Sequence, residues 1–543
     1  MSFRSVVSYR STVRSLRSAL RSLPGPVRVL ILAPVRCARW LLTGFRVGAR
    51  PISAVRFARH AGFKRGFPGN HRRLVRALSA AGGLLVVAGI GGVVLHPLVP
   101  LVVLAAFVVS AAYQWWLARS SRGKSRRWPP GSIVQGPEAM MEPDYFLDAW
   151  GRHGPVFKAS LFGWPMACVV GIERGTGLLR RHEADLATSP LPYNRFVPQG
   201  MLRWMDEPQH SEHRRAFAVA LSSRFIQASV PNMTVSIRKG LERWEGDNRV
   251  DPFSTGPLPH LRRLVLSTWI ETLLGVSDAD PWFNEVCSIF GTLDILRPVP
   301  YSDAEIFERL ERLEELIVAS AALHRDGPDG RSDVASLAGE LAAARASALR
   351  DRTVTRNLIF TALTTHDDTA GLFMWIVKFL GDHPVWLDRV RAGGEDEVID
   401  AIVSETIRLE QSEFLVRVAR RDIEFEGFVI PANWLIRICV HESHRDPGRF
   451  DDPDRFDPGR FLSGRPGRDV YAPFGVDHRS CLGEVLTRVF ARLFLDQLAA
   501  FYNWEVIADG PREFSAHRHW APSSELRVRL MPRASDTVWD PLD

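Results

Sequence analysis

Cys481 and its neighbours constrain this chain more than any other feature of the sequence. The cysteine ends a loop over residues 472–480, with Arg479 two positions before it and Gly483 two positions after it. An apolar helical pattern begins near Leu482, so the positive end of a predicted helix lies beside the sulfur. A nearby arginine and a helix N-terminus both favour the thiolate over the thiol. The loop therefore predicts a thiolate ligand, although a lone cysteine among apolar residues is more often a buried structural thiol.

The other cysteines indicate neither a disulfide framework nor a zinc site. The chain has 543 residues and five cysteines, which are widely separated and form no Cys-x-x-Cys pair. A reducing compartment is therefore expected for the globular part. The length and the 46% hydrophobic content allow one large core with additional segments.

Charge is distributed very unevenly along the chain. No acidic residue precedes Glu138, whereas residues 1–77 contain sixteen arginines and Lys64. Because the whole chain has a formal net charge of only +8, residues 138–543 are acidic overall. We predict that residues 1–77 form a basic Arg/Ser-rich extension, which is an interfacial helix on anionic lipid, a transit peptide or a disordered tail. Lipid contact or disorder is favoured, and nucleic acid is not expected as a partner.

A long apolar segment follows this extension. Residues 80–116 contain no charged side chain, and the run is too long for a single span of roughly 20 residues. His96 and Pro97 lie near its middle, so residues 78–118 are predicted to form a transmembrane segment, with a helical hairpin over about 80–95 and 98–117. A single tilted span is the alternative. The basic flanks would place the globular body on the cytoplasmic side.

Residues 119–135 are basic and proline-rich, which predicts a stiff hinge ahead of a body over residues 136–543. Alternation over residues 156–170 predicts a β-hairpin. Helical patterns dominate the remainder, for example over 305–322, 333–350 and 353–380.

Three helical patterns in the body carry polar groups that could have a function. His210 and Arg214 are four residues apart and share a helix face, which could hold two carboxylates or could be an ordinary solvated face. Glu405 and Arg408 are three residues apart and are also neighbours on a face. Residues 364–369 place polar side chains in the middle of an apolar helix, which is costly unless they are paired or functional.

Taken together, these segments resemble the cytochrome P450 family. Phe474, Arg479, Cys481 and Gly483 match its haem-binding loop, although Asp477 stands where the family usually has glycine. The backbone there is expected to be unusual, and aspartate tolerates such conformations better than most residues. The central helix, the Glu405/Arg408 pair and a later Pro-x-Arg-Phe segment follow the family order over residues 145–535. The resemblance implies a mainly α fold with small β-sheets, a cytochrome P450-like fold preceded by the membrane-anchoring segment.

The resemblance also implies a haem b cofactor (iron protoporphyrin IX) and a role for each matching residue. Cys481 would ligate the iron, and its thiolate would push electron density toward bound oxygen. A structural network would join Glu405 and Arg408 to Arg455. The cofactor-binding residues implied by the resemblance are His210, Arg214, Arg417, Phe474, Arg479 and Gly483.

The register of the central helix decides which residues would manage protons. Pro384 lies sixteen residues after Asp368, which in the family register places Asp367 at the acid and Asp368 at the usual threonine. Sliding by one residue gives the alcohol role to Thr369 instead. The first register is preferred, although two adjacent carboxylates in an apolar pocket repel each other and resist desolvation.

By this resemblance the chain is a haem-thiolate monooxygenase that inserts oxygen from O2 into a lipophilic small molecule. Electrons would come from a separate ferredoxin or flavin reductase, for which His478, Arg479, Arg488 and Arg492 could form a basic landing surface. The departure at Asp368 leaves open a peroxide-using or rearranging haem-thiolate enzyme. A membrane-tethered haem-binding sensor or pseudoenzyme is the alternative from another class.

Overall fold

The computed structural model describes thirteen stretches of the chain, which divide into two units over residues 1–125 and 126–543. The described residues are 45–47, 50–52, 127–133, 144–161, 164–188, 192–246, 258–293, 302–326, 335–345, 347–393, 396–412, 415–515 and 519–533. In the first unit these comprise only an antiparallel pair, β1 (Phe45–Val47) and β2 (Arg50–Ile52). The predicted membrane segment, 78–118, lies outside the described residues. None of the helices within the stretches above is both long and apolar enough to cross a membrane.

The second unit is mainly helical, as predicted. Its helices are α1 (Tyr145–His153), α2 (Ile172–Arg181), α3 (Gln209–Ala220), α4 (Ser223–Gly246), α5 (Pro259–Trp269), α6 (Phe283–Thr292), α7 (Asp303–Asp326), α8 (Leu337–Ala344), α9 (Arg352–Asp382), α10 (Pro384–Arg391), α11 (Asp396–Thr406), α12 (Val440–Ser443) and α13 (Glu484–Phe501). Two of them continue into a π-helical turn, α5 over Ile270–Leu274 and α11 over Ile407–Gln411.

The strands of this unit are β3 (Val156–Leu161), β4 (Trp164–Val170), β5 (Leu186–Thr188), β6 (Leu415–Ala419), β7 (Ile423–Phe425), β8 (Phe428–Ile430), β9 (Leu435–Cys439), β10 (Tyr502–Ala508), β11 (Glu513–Ser515), β12 (His519–Ala521) and β13 (Arg527–Pro532). They form small sheets. The largest has five strands in the order β3-β4-β9-β6-β5, in which only the β4–β9 pair is parallel. The predicted hairpin over 156–170 is confirmed as β3 and β4, which pair antiparallel.

The long helix α9 passes through the main core. Asp351 caps its start by accepting a hydrogen bond from the Thr353 amide at 2.9 Å, which satisfies one of the free N–H groups of the first turn. Further along, Phe373 stacks on Phe494 of α13 with ring centroids 4.1 Å apart. Both rings are fully buried, and such pairs add about 0.5–1.5 kcal/mol to the free energy of burial. The helix is thereby fixed against α13, which directly follows the cysteine loop.

One predicted helix is shorter than expected. The pattern over 333–350 forms only α8, because the Ser336 hydroxyl caps its start and Arg345 adopts an extended conformation at its end. A separate 3-10 turn follows at Ala348–Arg350.

Residues 127–133, in the predicted hinge, belong to the second unit and pack on the rest of it. The Val429 amide donates to the Arg127 carbonyl at 2.9 Å, and the Lys158 amide donates to the Pro130 carbonyl at 2.6 Å. The Trp128 ring contacts the Trp434 ring edge-on at 5.1 Å. This part of the basic, proline-rich segment is therefore fixed to the body.

Candidate active site

Cys481 lies in a tight loop two residues before Gly483, which precedes the first residue of α13. The Cys481 amide donates to the Phe474 carbonyl at 2.8 Å, and the Ser480 amide donates to the Asp477 carbonyl at 2.9 Å. Cys481 is exposed, whereas Cys168, Cys287 and Cys439 are buried. Among the described cysteines, Cys481 alone therefore offers an accessible sulfur.

The glycine that the loop requires is Gly475. It has φ of +100°, and a Cβ added to it would lie 3.2 Å from the Ser480 Cα. A side chain at this position would be strained both by the backbone conformation and by the close approach. Gly483 has an ordinary φ of −83°, and an added Cβ would lie 3.7 Å from the Cys481 sulfur.

The expectation of an unusual backbone at Asp477 is wrong. The non-glycine residues with positive φ in the described part of the chain are Leu258, Glu426, Asn433 and Asp452. Asp477 instead uses its side chain, which forms an ion pair with Arg417 on β6. Its other oxygen accepts a hydrogen bond from the Arg479 amide at 2.9 Å. The reason for an aspartate here is therefore electrostatic.

The environment of Asp477 favours its charged form. Burial raises the pKa of this carboxyl, but the Arg417 guanidinium and the Arg479 amide outweigh burial, so the pKa lies below its usual value. Asp477 is therefore ionised at neutral pH and holds Arg417, whose side chain is only 13% exposed.

Arg479 meets a second carboxylate, that of Glu207. One guanidinium nitrogen donates to the Met205 carbonyl at 2.8 Å, and the other lies 3.2 Å from Glu207 Oε1. Glu207 also accepts hydrogen bonds from the Ser211 amide and hydroxyl and from His210 Nδ1 at 2.7 Å. Partial burial raises the pKa of Glu207, but the hydrogen bonds from Ser211 and His210 outweigh burial and lower the pKa to about 2.

His210 and Arg214 share a face of α3, as their spacing predicts. His210 is 2% exposed, and burial together with the Arg479 charge lowers its pKa, so it is neutral at pH 7. Arg214 is half-buried, which lowers its pKa, while the negative charges of the Cys481 thiolate and of Asp477 act in the opposite direction. Within the described stretches, Arg214 forms no hydrogen bond or ion pair with a carboxylate.

Glu207, His210 and His478 are the one group in the described chain with ligand atoms close enough to hold a metal ion. These atoms lie within 4.8 Å of one another. However, the Arg479 guanidinium already occupies Glu207 Oε1 at 3.2 Å, and its charge would repel a metal cation. We therefore treat this group as part of the ion-pair network around the loop.

The polar side chains in the middle of α9 lie on two faces of the helix. His366 Nε2 lies 3.0 Å from the Arg262 carbonyl, and Asp367 forms an ion pair with the Arg262 side chain. The Thr369 hydroxyl is buried and accepts a hydrogen bond from Trp269 Nε1 at 3.2 Å. These three residues therefore face α5.

Asp368 lies on a different face of the same helix. Successive helical residues are rotated by about 100°, so Asp368 shares a face with residues three and four positions away, such as Thr365 and Leu372. The structure consequently separates Asp368 from Thr369.

Glu405 and Arg408 form a fully buried ion pair, but the third member of their network differs from the prediction. Both side chains are 0% exposed, with Arg408 Nε 2.6 Å from Glu405 Oε2. The second arginine on Glu405 is Arg460, whose Nε lies 3.1 Å from Oε1. Arg455 instead directs its 61% exposed side chain to Asp457 and offers only its carbonyl to Arg408. A turn at Pro458–Phe461 brings Arg460 inward.

The predicted basic landing surface is also wrong. Arg488 is buried and donates to the Ser404 hydroxyl at 3.1 Å, and Arg492 pairs with Asp396. Arg479 has its own partner in Glu207, which leaves His478 as the most exposed of the four side chains.

Sequence reasoning missed the acidic partners in this site. Glu207 is three residues before His210, and that spacing could have revealed it. The Arg417–Asp477 and Arg262–Asp367 pairs join residues 60 and 105 positions apart, for which the sequence offers no local signal.

Comparison with known proteins establishes the class. The cytochrome P450 family model matches residues 122–525, so this chain belongs to the cytochrome P450 family. It is accordingly an oxidoreductase of the monooxygenase type. The family implies a haem-iron cofactor, a substrate and a redox partner.

Individual relatives are distant. The chain is 24% identical to abscisic acid 8'-hydroxylase 3 of Oryza sativa subsp. indica, over 75% of this chain and 89% of the relative. It is 23% identical to abscisic acid 8'-hydroxylase 2 of Arabidopsis thaliana, over 73% of this chain and 88% of the relative. Among solved structures, retinoic acid-bound cyanobacterial CYP120A1 has a TM-score of 0.61 at 23% identity, covering 75% of this chain and 100% of that one. That likeness shows the fold.

The donor set around the loop fits a haem. Cys481 offers an exposed sulfur, and Gly483 leaves the space beside it without a side chain. Arg214 supplies a guanidinium that is not committed to a carboxylate in the described chain and is near enough to the sulfur to interact with it electrostatically. A soft ligand flanked by guanidinium groups suits an iron porphyrin that carries two carboxylates.

Proposed function

We propose that this chain is a membrane-associated monooxygenase that inserts one oxygen atom from O2 into a lipophilic small molecule. The observation that carries the proposal is the accessible Cys481, held by the Phe474 carbonyl in front of α13, with Arg479 two residues before it and Arg214 near enough to interact with its charge. Neighbouring guanidinium groups and the helix N-terminus favour the thiolate.

Haem b would be held by residues of the cysteine loop, α3 and β6. Cys481 would ligate the iron, and Arg214 of α3 and Arg479 of the loop would hold the carboxylates, with His210 of α3 and Arg417 of β6 beside them. Phe474 and Gly483 would shape the loop, and the guanidinium of Arg488 on α13 lies 5.3 Å from the Phe474 ring centroid. The bound haem supplies the oxygen activation, and the protein supplies the axial ligand, the proton donors and the orientation of the substrate.

Two carboxylates of α9 are proposed to manage protons. Asp367 forms an ion pair with Arg262, which holds its side chain against α5. Asp368 lies on another face of the helix and would hold or release a proton there. Thr369 is turned toward α5, so its contribution would be to orient the helix through Trp269.

The substrate class, the electron donor and the membrane association are proposed from the relatives and from the amino-acid sequence. The relatives named as abscisic acid 8'-hydroxylases support a lipophilic substrate. A ferredoxin or a flavin reductase would supply the electrons, because the sequence contains no reductase motif. The charge-free run over 80–116 supports membrane anchoring, and its basic flanks support a catalytic domain on the cytoplasmic side.

The test is the absorption spectrum of the reduced full-length protein with carbon monoxide. A strongly red-shifted Soret band that is lost in Cys481→Ser supports the thiolate ligand. A band at the same unshifted position in both proteins contradicts it.

Asp368 also favours a second candidate, a peroxide-using or rearranging enzyme of the same haem-thiolate type. The two candidates differ in their oxidant. Turnover that requires NAD(P)H and an electron carrier supports the first, whereas turnover with peroxide alone supports a peroxide-using enzyme. Isomerisation of a substrate without either would support rearrangement.

A further inference from the structure

The charged side chains around the cysteine loop include carboxylates of the protein itself. Three guanidinium groups, those of Arg214, Arg417 and Arg479, lie there together with the carboxylates of Asp477 and Glu207. Because His210 is neutral at pH 7, two of the three guanidinium charges are already balanced. An incoming dianionic ligand would have to share this cluster with two internal acids.

Arg417 is the guanidinium most firmly committed to an internal acid. It lies on β6, inside the five-stranded sheet, with β9 on one side and β5 on the other. Its side chain is 13% exposed and that of Asp477 is 15% exposed, so the pair is largely withdrawn from water. Another Arg417 nitrogen donates to the Val416 carbonyl at 3.0 Å, which restricts the guanidinium further. Breaking a pair of this burial leaves an uncompensated charge.

Asp477 connects that strand to the cysteine loop. One of its oxygens binds Arg417, another accepts the Arg479 amide, and its carbonyl accepts the Ser480 amide. These contacts fix the residues directly before Cys481. The pair therefore sets the position of the sulfur relative to the sheet.

Arg479 and Arg214 differ in what they can still bind. Arg479 is shared between Glu207 and the Met205 carbonyl, and its side chain is 9% exposed. Arg214 has no carboxylate partner in the described chain, although it interacts electrostatically with Cys481 and Asp477. Arg214 can thus turn its guanidinium to a new anion without giving up an ion pair of its own.

We propose that Asp477 is a permanent counter-ion of Arg417, so that Arg417 positions the cysteine loop while Arg214 carries the main charge for the haem carboxylates. This inference rests on the proposed haem-thiolate function. It revises the role that the family resemblance implies for Arg417. Arg417 and Asp477 are positioning residues, since they act on the sulfur through the loop.

The test is a double-mutant cycle on the rate of haem loss from the full-length ferric protein to excess apomyoglobin. Arg417→Gln and Asp477→Asn should each accelerate haem loss by about tenfold, because each leaves one partly buried charge unpaired. The double variant should return to within about threefold of wild type, because it removes both charges of one coupled pair. Arg214→Gln alone should also accelerate haem loss.

A spectroscopic readout separates positioning from a general loss of stability. Asp477→Asn should convert part of the red-shifted carbon monoxide band to an unshifted band, and the double variant should restore the shifted band. Glu314→Gln is the matched control, because it breaks a pair with Arg356 of similar burial on α7 and α9. This control should leave both haem loss and the band position unchanged.

Several outcomes would overturn the inference. If Arg417 binds a haem carboxylate, Asp477→Asn should slow haem loss, and the double variant should lose haem as fast as Arg417→Gln. Additive effects of the two substitutions would also overturn it, because independent residues do not form a counter-ion pair. A wild-type protein without the shifted band would overturn the proposed function and this inference together. A wild type that has the band but fails the cycle overturns this inference alone.

Discussion

At the scale of single residues, His444 shows how a buried neutral side chain makes the fold sensitive to pH. Its Nδ1 lies 2.7 Å from the Ser412 hydroxyl, and its Nε2 accepts the Ala472 amide at 3.1 Å. Burial, with the nearby charges of Arg408 and Arg445, lowers its pKa to about 3. The imidazole therefore joins the end of the α11 π-helical turn to the start of the cysteine loop only while it is uncharged.

The free energy of unfolding should consequently fall as pH falls below about 6.5. In that range His444 binds a proton in the unfolded chain but stays neutral in the folded protein. The loss continues down toward the folded pKa of about 3. Each pH unit in that window costs at most about 1.4 kcal/mol for this site. Urea unfolding of wild type and His444→Gln at pH 7, 6 and 5 measures the effect. The variant should show the shallower pH dependence, and equal slopes would contradict the assignment.

Arg455 and Arg460 give a matched pair of substitutions near the buried Glu405. Arg460→Ala should reduce the free energy of unfolding by about 1–3 kcal/mol, because it removes a hydrogen bond to a fully buried carboxylate. Arg455→Ala should change it by no more than about 0.5 kcal/mol, because its ion pairs are on the surface. Chemical denaturation of both variants tests this order. The reverse order would show that Arg455 is the true third member.

At the scale of elements, close helix contacts depend on individual glycines. A Cβ added to Gly240 of α4 would lie 2.4 Å from Leu264 Cγ on α5, whereas one added to Gly151 of α1 would meet nothing within 4 Å. Gly240 therefore permits an approach of two helices that a side chain would prevent.

Gly240→Ala should destabilise the protein by about 1–3 kcal/mol through overpacking. Gly151→Ala, which also replaces a helical glycine, should stabilise it by about 0.5–1 kcal/mol because alanine has the higher helix propensity. Thermal unfolding of the two variants gives the comparison. Similar effects in both would mean that α4 and α5 adjust their spacing readily.

The elements that local pattern determines were predictable from sequence. Helix α9 was predicted over 353–380 and spans Arg352–Asp382, since apolar periodicity and the Asp351 cap act within a few residues. The choice of Arg460 over Arg455 depends on how a turn folds back on α11, which no periodicity encodes. The partners of Arg417 and Arg262 likewise come from distant segments. Tertiary packing therefore determines the partners of Arg460, Arg417 and Arg262.

At the scale of the whole molecule, the separation of charge and apolar sequence suggests two contributions to membrane binding. Residues 1–77 are strongly basic, and the apolar run over 80–116 follows them directly. Electrostatic attraction to anionic lipid is screened within about 3 Å at 1 M salt, whereas apolar insertion is not.

The intact chain should therefore remain on anionic vesicles in 1 M salt, whereas a chain lacking residues 80–117 should bind at low salt and be released. Vesicle flotation at both salt concentrations measures this difference. Release of the intact chain by salt would indicate surface attachment without insertion. Loss of low-salt binding in the shortened chain would argue against lipid contact by residues 1–77.

The contrast between exposed Cys481 and the buried Cys168, Cys287 and Cys439 has a practical consequence. An alkylating reagent should modify Cys481 readily in molecules that hold no iron at the sulfur, and iron coordination should protect it. In a Cys37→Ser variant, the fraction of alkylated protein measured by intact-mass analysis would equal the fraction of molecules that lack the cofactor. This measurement would give the haem occupancy of a mixed preparation without relying on its absorbance.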